Sequence, residues 1–147
     1  MTFDWNWVFA IEILPRHTAD SFTLPPKVHQ AAPGLSRIAF IVRAFRMALA
    51  KKPDIIFCGH INLAPLAAAV ARMCGAKMIV QTHGIDAWER PRDLFRKAVE
   101  RADLVLCVSR YTRARLLSWA AMAPERVVVL SNTVGQAFTP GDASQLR

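Results

Sequence analysis

The sequence predicts an α/β protein with a doubly wound parallel sheet in three layers, folded as a single domain. Short β-branched runs alternate with amphipathic stretches along the whole chain, the pattern of strands linked by crossover helices. Most of these runs end in polar residues such as Gly, His or Ser that open a loop, as strands of a parallel sheet do at their carboxyl ends. The 147 residues are 53% hydrophobic and 20% charged, enough apolar chain for one packed core and too little charge for a disordered segment.

From Phe3 to Leu14 the bulky residues Trp5, Trp7, Phe9, Ile11 and Ile13 occupy alternate positions, the period of a strand, and Pro15 stops it. Arg16 to Gly34, with Pro25, Pro26 and Pro33, reads as a connection. Ser36 is placed to cap a helix in which Ile38, Ile41, Val42, Phe45 and Leu49 follow i, i+3, i+4, i+7 spacing, and Lys51, Lys52 and Pro53 end it. DIIFCGH is a second strand that enters a loop at Gly59 and His60. Leu63 to Cys74 is an Ala-rich helix with Pro65 near its start and Gly75 just past its end. Lys77 to Thr82 is a third strand, which runs into the polar loop HGIDAWERP. Leu94, Ala98, Val99 and Ala102 restore helical spacing, and Asp103 to Val108 is a fourth strand with Ser109 at its end. Arg110 to Trp119 suits a helix, Arg126 to Leu130 is a fifth strand, and Ser131, Asn132 and Thr133 open a polar tail.

In open parallel sheets ligands bind beyond the carboxyl ends of the strands. There the sequence collects Gly59, His60 and Asn62, then Thr82, His83, Gly84 and Asp86, then Ser109 and Arg110, then Ser131 and Asn132. Two histidines at neighbouring strand ends exceed what capping needs, and hydrogen bonding to a polyhydroxylated ligand suits them. With Asp86 they do not form a known metal-ligand spacing, so no metal is expected.

Other chemistries are excluded by their missing motifs. There is no GxGxxG after a strand, no GxxxxGK ahead of Ser or Thr, and no GxSxG elbow. Cys58, Cys74 and Cys107 are odd in number, lack CxxC spacing and lie in apolar stretches, which reads as buried reduced thiols of a cytoplasmic protein. Apolar runs such as Leu63 to Ala71 are too short to cross a bilayer, and the N-terminus has no basic leader. Nineteen Lys and Arg against eleven Asp and Glu give a net charge of +8, which fits a phosphate-bearing substrate or an anionic membrane surface. The basic residues are spread over several helices without a nucleic-acid-binding motif, so no nucleic acid is expected as partner.

The segments KPDIIFCGHINLAPLAAAVAR, KMIVQTHGIDAW, RADLVLCVSRYTRARL and RVVVLSNTVGQAFTP follow one another between Lys52 and Pro140. In order and spacing this run resembles the N-terminal domain of the family 4 type of retaining glycosyltransferases, enzymes of two Rossmann-like domains in the arrangement called GT-B. The resemblance implies that His83 lies beside the donor sugar and the acceptor hydroxyl, giving orientation and electrostatic support without a metal. Gly84, Asp86 and Trp88 belong to the same loop, where Trp88 either stacks on a sugar or supports the loop. His60 and Asn62 match an element lining the acceptor side. Ser109 matches a VSxxT segment in which it can equally cap the next helix, and Asn132 opens an NGVD-like segment that here has Thr133 for its glycine and Gly135 for its acid.

The same resemblance sets the expected organisation. Residues 1–140 correspond to the acceptor-side domain without its first strand and glycine-rich loop, and 141–147 to the start of an interdomain linker, with the donor-binding domain absent. The implied reaction transfers a hexosyl group from a nucleotide sugar, a substrate rather than a resident cofactor, to a polysaccharide, lipopolysaccharide or glycolipid. These residues alone are expected to be inactive and prone to associate through the surface the absent strand leaves open. The implied location is the cytoplasm, at the inner face of the cell membrane. Arg37, Arg43, Arg46, Lys51 and Lys52 flank a helix with Phe40 and Phe45, whose apolar stripe suits either anionic lipid or the sheet. The other functional reading is a non-catalytic module that binds an acceptor or membrane for a partner.

Overall fold

The computed structural model describes residues 8–16, 23–33 and 36–133. The elements are β1 (Ile11–Ile13), β2 (Val28–Gln30), α1 (Arg37–Lys51), β3 (Ile55–Cys58), α2 (Ala64–Cys74), β4 (Lys77–Thr82), α3 (Asp93–Glu100), β5 (Leu104–Cys107), α4 (Arg110–Leu117) and β6 (Val127–Val129). Single 3₁₀ turns lie at Ile61–Leu63, Ile85–Ala87 and Pro124–Arg126. Helix ends follow the sequence signals. Ser36 Oγ accepts from Ala39 N at 3.1 Å, while Lys52 (φ 44°) and Gly75 (φ 71°) close α1 and α2 in the left-handed region.

β3, β4, β5 and β6 form a parallel sheet in that order, and β1 and β2 form a separate parallel pair. This is the Rossmann-like α/β fold expected from the alternation. The N-terminal region departs from expectation. Where a strand from Phe3 to Leu14 was expected, only Ile11–Ile13 is strand among the described residues; the Trp5 and Trp7 positions lie outside them. The expected connection from Arg16 to Gly34 contains β2, which supplies the pairing. Pro25, Pro26 and Pro33 carry no backbone N–H, and Lys27 turns the chain at φ 70°, so the ladder can extend only over Val28–Gln30. Phe9, just beyond that ladder, is 91% exposed.

Parallel register decides which face of the four-stranded sheet each side chain joins. Cys58, Val80, Val105 and Val127 align across the strands, as do Ile56 with Met78 and Thr82 with Cys107. All but Ile56 are buried, and they form one core with Ala64, Ala67 and Ala71 of α2, Ala98 and Val99 of α3, and Leu116 of α4. The opposite face carries Ile55, Phe57, Ile79, Leu104, Leu106 and Val128, and none of these is buried. The strand order explains the asymmetry. Three successive crossovers advance in one direction, and right-handed crossovers in one direction put α2, α3 and α4 on the same face.

Burial shows which residues of α1 are covered. Its buried residues are Phe40 and Ala48, whereas Ile38, Ile41, Val42 and Leu49 of the periodic stripe are exposed. Phe40 packs under the Arg16 guanidinium, 5.8 Å from its ring centroid, and so is not available to lipid. Helical periodicity locates an apolar face but not the neighbour that covers it. The cysteines are free; Cys58 and Cys107 are buried and burial raises both thiols above their ordinary pKa. Cys74, expected to be buried, is only half-buried in the last turn of α2, where its Sγ donates to Val70 O.

Carboxylates tie the helices to the sheet at its amino end. Asp103 accepts from Lys77 Nζ at 2.9 Å and from Met78 N at 2.8 Å, and these bonds lower its pKa in that order. Glu100 accepts from Ala121 N at 2.9 Å and Arg96 Nη1 at 2.7 Å; the backbone bond leads the depression of its pKa, and the arginine adds to it. Arg126 reaches the carbonyls of Glu100 and Ala102 at the end of α3. A carboxyl with a depressed pKa binds its proton first in the unfolded chain, so its contribution is present at neutral pH and is lost as pH falls. The double variant Glu100→Gln, Asp103→Asn is therefore expected to melt below the unsubstituted chain at pH about 7, and the gap between them to narrow as pH falls through about 4. Melting curves across that range check it, and a gap that widens on acidification would contradict it.

Candidate functional site

The carboxyl ends of β3 and β4 place two imidazoles side by side. After β3, His60 precedes a 3₁₀ turn and caps it: its Nδ1 accepts from Asn62 N at 3.1 Å. The Cys58 thiol donates to His60 O at 3.2 Å, anchoring the same bend from the core. After β4, His83 Nε2 lies 2.8 Å from Gly59 O. A carbonyl oxygen only accepts, so Nε2 carries the proton, and in the neutral ring Nδ1 is left as an acceptor. The two rings are exposed, with centroids 6.5 Å apart and planes tilted by 34°. Thr82, at the end of β4, is fully buried, and its hydroxyl donates to Leu106 O, which fixes where His83 leaves the sheet.

The loop after His83 is held from within and from below. His83 N donates to Asp86 Oδ1 at 2.9 Å, while Asp86 Oδ2 is buried and has no hydrogen-bond partner among the described residues. A buried carboxylate oxygen without a donor is costly. Gly84 has φ 105°, a region that residues with a Cβ rarely adopt, and a Cβ there would lie 4.0 Å from Trp88 Nε1. From α4, Arg115 donates through Nε and Nη2 to Trp88 O at 3.0 and 2.7 Å, and Trp119 Nε1 donates to Ala87 O at 2.9 Å. Trp88 meets Tyr111 edge to face at 5.4 Å between centroids, and both rings are exposed on one side. Sequence reading did not place Tyr111, Arg115 or Trp119 at the rim. Tyr111 and Arg115 on α4 and Trp119 just past it mark no site in the sequence, and only the packing of α4 against the 3₁₀ turn Ile85–Ala87 brings them to the loop.

The remaining expected site residues have simpler surroundings. Ser109 Oγ caps α4, accepting from Thr112 N at 3.1 Å and pairing with Thr112 Oγ1 at 3.0 Å. Asn62 contributes its backbone N–H to the His60 cap, and its residue is exposed. Asn132 is exposed just past β6. The tail positions Gly135, Phe138 and Pro140, and the linker expected over 141–147, lie outside the described residues. No group of three or more His, Cys, Asp or Glu suited to a metal occurs among the described residues. A separate groove of about 580 Å³ between α2 and α3 is lined by Pro65, Arg72, Met73, Leu94, Lys97 and Arg101 among others, and contains none of the rim residues. Its lining offers apolar and cationic surface without a convergent set of acceptors, so the polar rim is the better candidate for a hydroxyl-rich ligand.

In an open parallel sheet of this kind, polar groups gathered beyond the carboxyl ends of the strands lie where ligands bind. The chain belongs to Glycosyltransferase Family 4, whose family model matches residues 4–136. Among solved structures it is similar to Anabaena Alr3699/HepE, crystallised in complex with UDP, with a TM-score of 0.56 and 19% identity over 82% of this chain and 35% of that one. The chain thus spans about a third of the length of that protein. UDP-N-acetylglucosamine 2-epimerase from Rickettsia bellii is also similar, with a TM-score of 0.48 and 14% identity over 72% of this chain and 30% of that one. No curated protein matches the chain. No helix among the described residues is long and apolar enough to cross a membrane.

Proposed function

We propose that this domain is the acceptor-side half of a retaining glycosyltransferase that moves a hexosyl group from a nucleotide sugar to a polysaccharide, lipopolysaccharide or glycolipid. The observation that carries the proposal is the rim itself: His60 and His83, 6.5 Å apart on adjacent strand ends, beside an Asp86 oxygen that lacks a donor. Membership of Glycosyltransferase Family 4 supports it. So does the crystallised fold neighbour, whose complex contains UDP.

In this reading sugar hydroxyls donate to His83 Nδ1, Asp86 holds the loop through His83 N, and Trp88 offers an apolar face to a pyranose ring. His83 is held by Gly59 O, so its ring is oriented before the sugar arrives, and it supports charge that develops at the reacting carbon and oxygens. A second, donor-binding domain holds the nucleotide across the cleft. Incubation with radiolabelled nucleotide sugars and lipid or polysaccharide acceptors tests the proposal. Label is expected in the acceptor when a donor-binding domain is joined to these residues, and background label with the 147 residues alone. A non-catalytic module would leave the acceptor unlabelled in both cases.

A further inference from the structure

The hydrogen bonds that hold the two rim histidines also fix which ring nitrogen each leaves open. His60 Nδ1 accepts from Asn62 N at 3.1 Å. A backbone N–H only donates, so Nδ1 presents its lone pair there and the proton of the neutral ring sits on Nε2. His83 is tied through the other nitrogen: its Nε2 donates to Gly59 O at 2.8 Å, and Nδ1 keeps the lone pair. Neither His60 Nε2 nor His83 Nδ1 has a hydrogen-bond partner among the described residues, and both residues are exposed. The rim therefore shows one N–H and one lone pair on neighbouring rings.

That pairing selects among ligand chemistries. A metal ion takes a lone pair from each imidazole, and here it would have to break the His60 cap on Asn62 N to obtain the second. A carboxylate or phosphate oxygen accepts from His60 and offers no proton to His83. A hydroxyl both donates and accepts, so one oxygen satisfies both rings. Hydrogen bonds of about 2.7–3.0 Å on each side let one oxygen join nitrogens up to about 6 Å apart, and centroids 6.5 Å apart bring the rims of the two rings within that reach. The sheet sets this spacing: β3 and β4 pair from Ile55↔Lys77 to Cys58↔Val80, and the histidines leave these adjacent strands just beyond.

We propose that His60 and His83 clamp a single saccharide hydroxyl, His60 Nε2–H donating to its oxygen and His83 Nδ1 accepting its proton. The inference rests on the reading of the rim as a saccharide site and deepens it. The ligand is selected by one free hydroxyl, and His60 determines specificity in addition to capping its turn.

Titration of the full chain with methyl hexopyranosides, followed by NMR, and then with the singly deoxygenated forms of one that binds, tests the clamp. One deoxy position is expected to weaken binding by about tenfold or more, the worth of two neutral hydrogen bonds. His60→Asn keeps a side-chain oxygen that accepts from Asn62 N, so the turn stays capped, but it lacks the Nε2–H. It is expected to weaken binding of the parent sugar by about 3–10-fold, as is His83→Ala. Toward the sugar that lacks the clamped hydroxyl, both substitutions should fall silent, within about twofold. Long-range nitrogen–proton spectra of the side chains should show the proton on Nε2 of both neutral rings. Undiminished binding by His60→Asn, a deoxy series without such a position, or a proton on Nδ1 of either neutral ring would overturn the clamp while saccharide binding at the rim survives. Absence of binding by every methyl hexopyranoside would overturn the saccharide site and the clamp with it.

Discussion

Replacing His83 by alanine is expected to lower the rate of sugar transfer by about 10²–10³-fold, the range seen when one preorganised polar contact to a developing charge is removed, and to leave folding unchanged. His83 is exposed and lies outside the core, and its one side-chain hydrogen bond among the described residues is the 2.8 Å contact to Gly59 O. The loop that carries it is fixed by the Asp86, Arg115 and Trp119 bonds, none of which uses the imidazole. Loss of rate therefore belongs to the ring. A role in positioning is separable from a role at the reacting atoms: loss confined to KM with kcat intact would place His83 in acceptor binding alone, whereas an equal fall in kcat and kcat/KM would place it at the transition state. Transfer by His83→Ala within about twofold of the unsubstituted protein would remove His83 from the reaction.

Leu116→Ala is expected to destabilise the domain by about 2–5 kcal/mol, the cost of removing a large side chain from a packed interior. Leu116 is fully buried and joins α4 to the Val105, Cys107 and Val127 face of the sheet. The same helix presents Ser109, Tyr111, Arg115 and, just after it, Trp119 to the rim, so its loosening should reach the His83 loop. Denaturant unfolding measures the loss, and hydrogen exchange at the amides of Ala87 and Trp88 should quicken with it. A loss under about 1 kcal/mol would mean that α4 is not seated on the sheet in this way.

Period and punctuation made most of the fold legible. Four strands and four helices lie where β-branched runs, Ser caps, Pro65 and Gly75 place them. β2 was not, because three residues between Pro26 and Pro33 carry no periodicity, and their strand identity comes only from the partner Ile11–Ile13. The exposure of α1 was not legible either: Ile38, Ile41 and Leu49 have the same spacing whether or not another layer covers them, and coverage is a property of tertiary arrangement. At the candidate site, the rule for strand ends pointed to His60, His83, Gly84 and Asp86, and the family resemblance added Trp88. It could not find Tyr111 or Arg115, which reach the loop across 23 or more residues of sequence through the packing of α4. Ser109 shows the converse, a rim residue whose hydroxyl is occupied in capping its own helix.

The most direct test of the central claim is a two-dimensional amide NMR titration of the domain with hexose-terminated oligosaccharides, resolved residue by residue. Binding at the rim predicts saturable shifts at His60, His83, Gly84, Asp86 and Trp88, with the α2–α3 groove unaffected and the response abolished in Asp86→Ala. Shifts confined to Arg72, Lys97 and Arg101, or no saturable shift at millimolar saccharide, would contradict it.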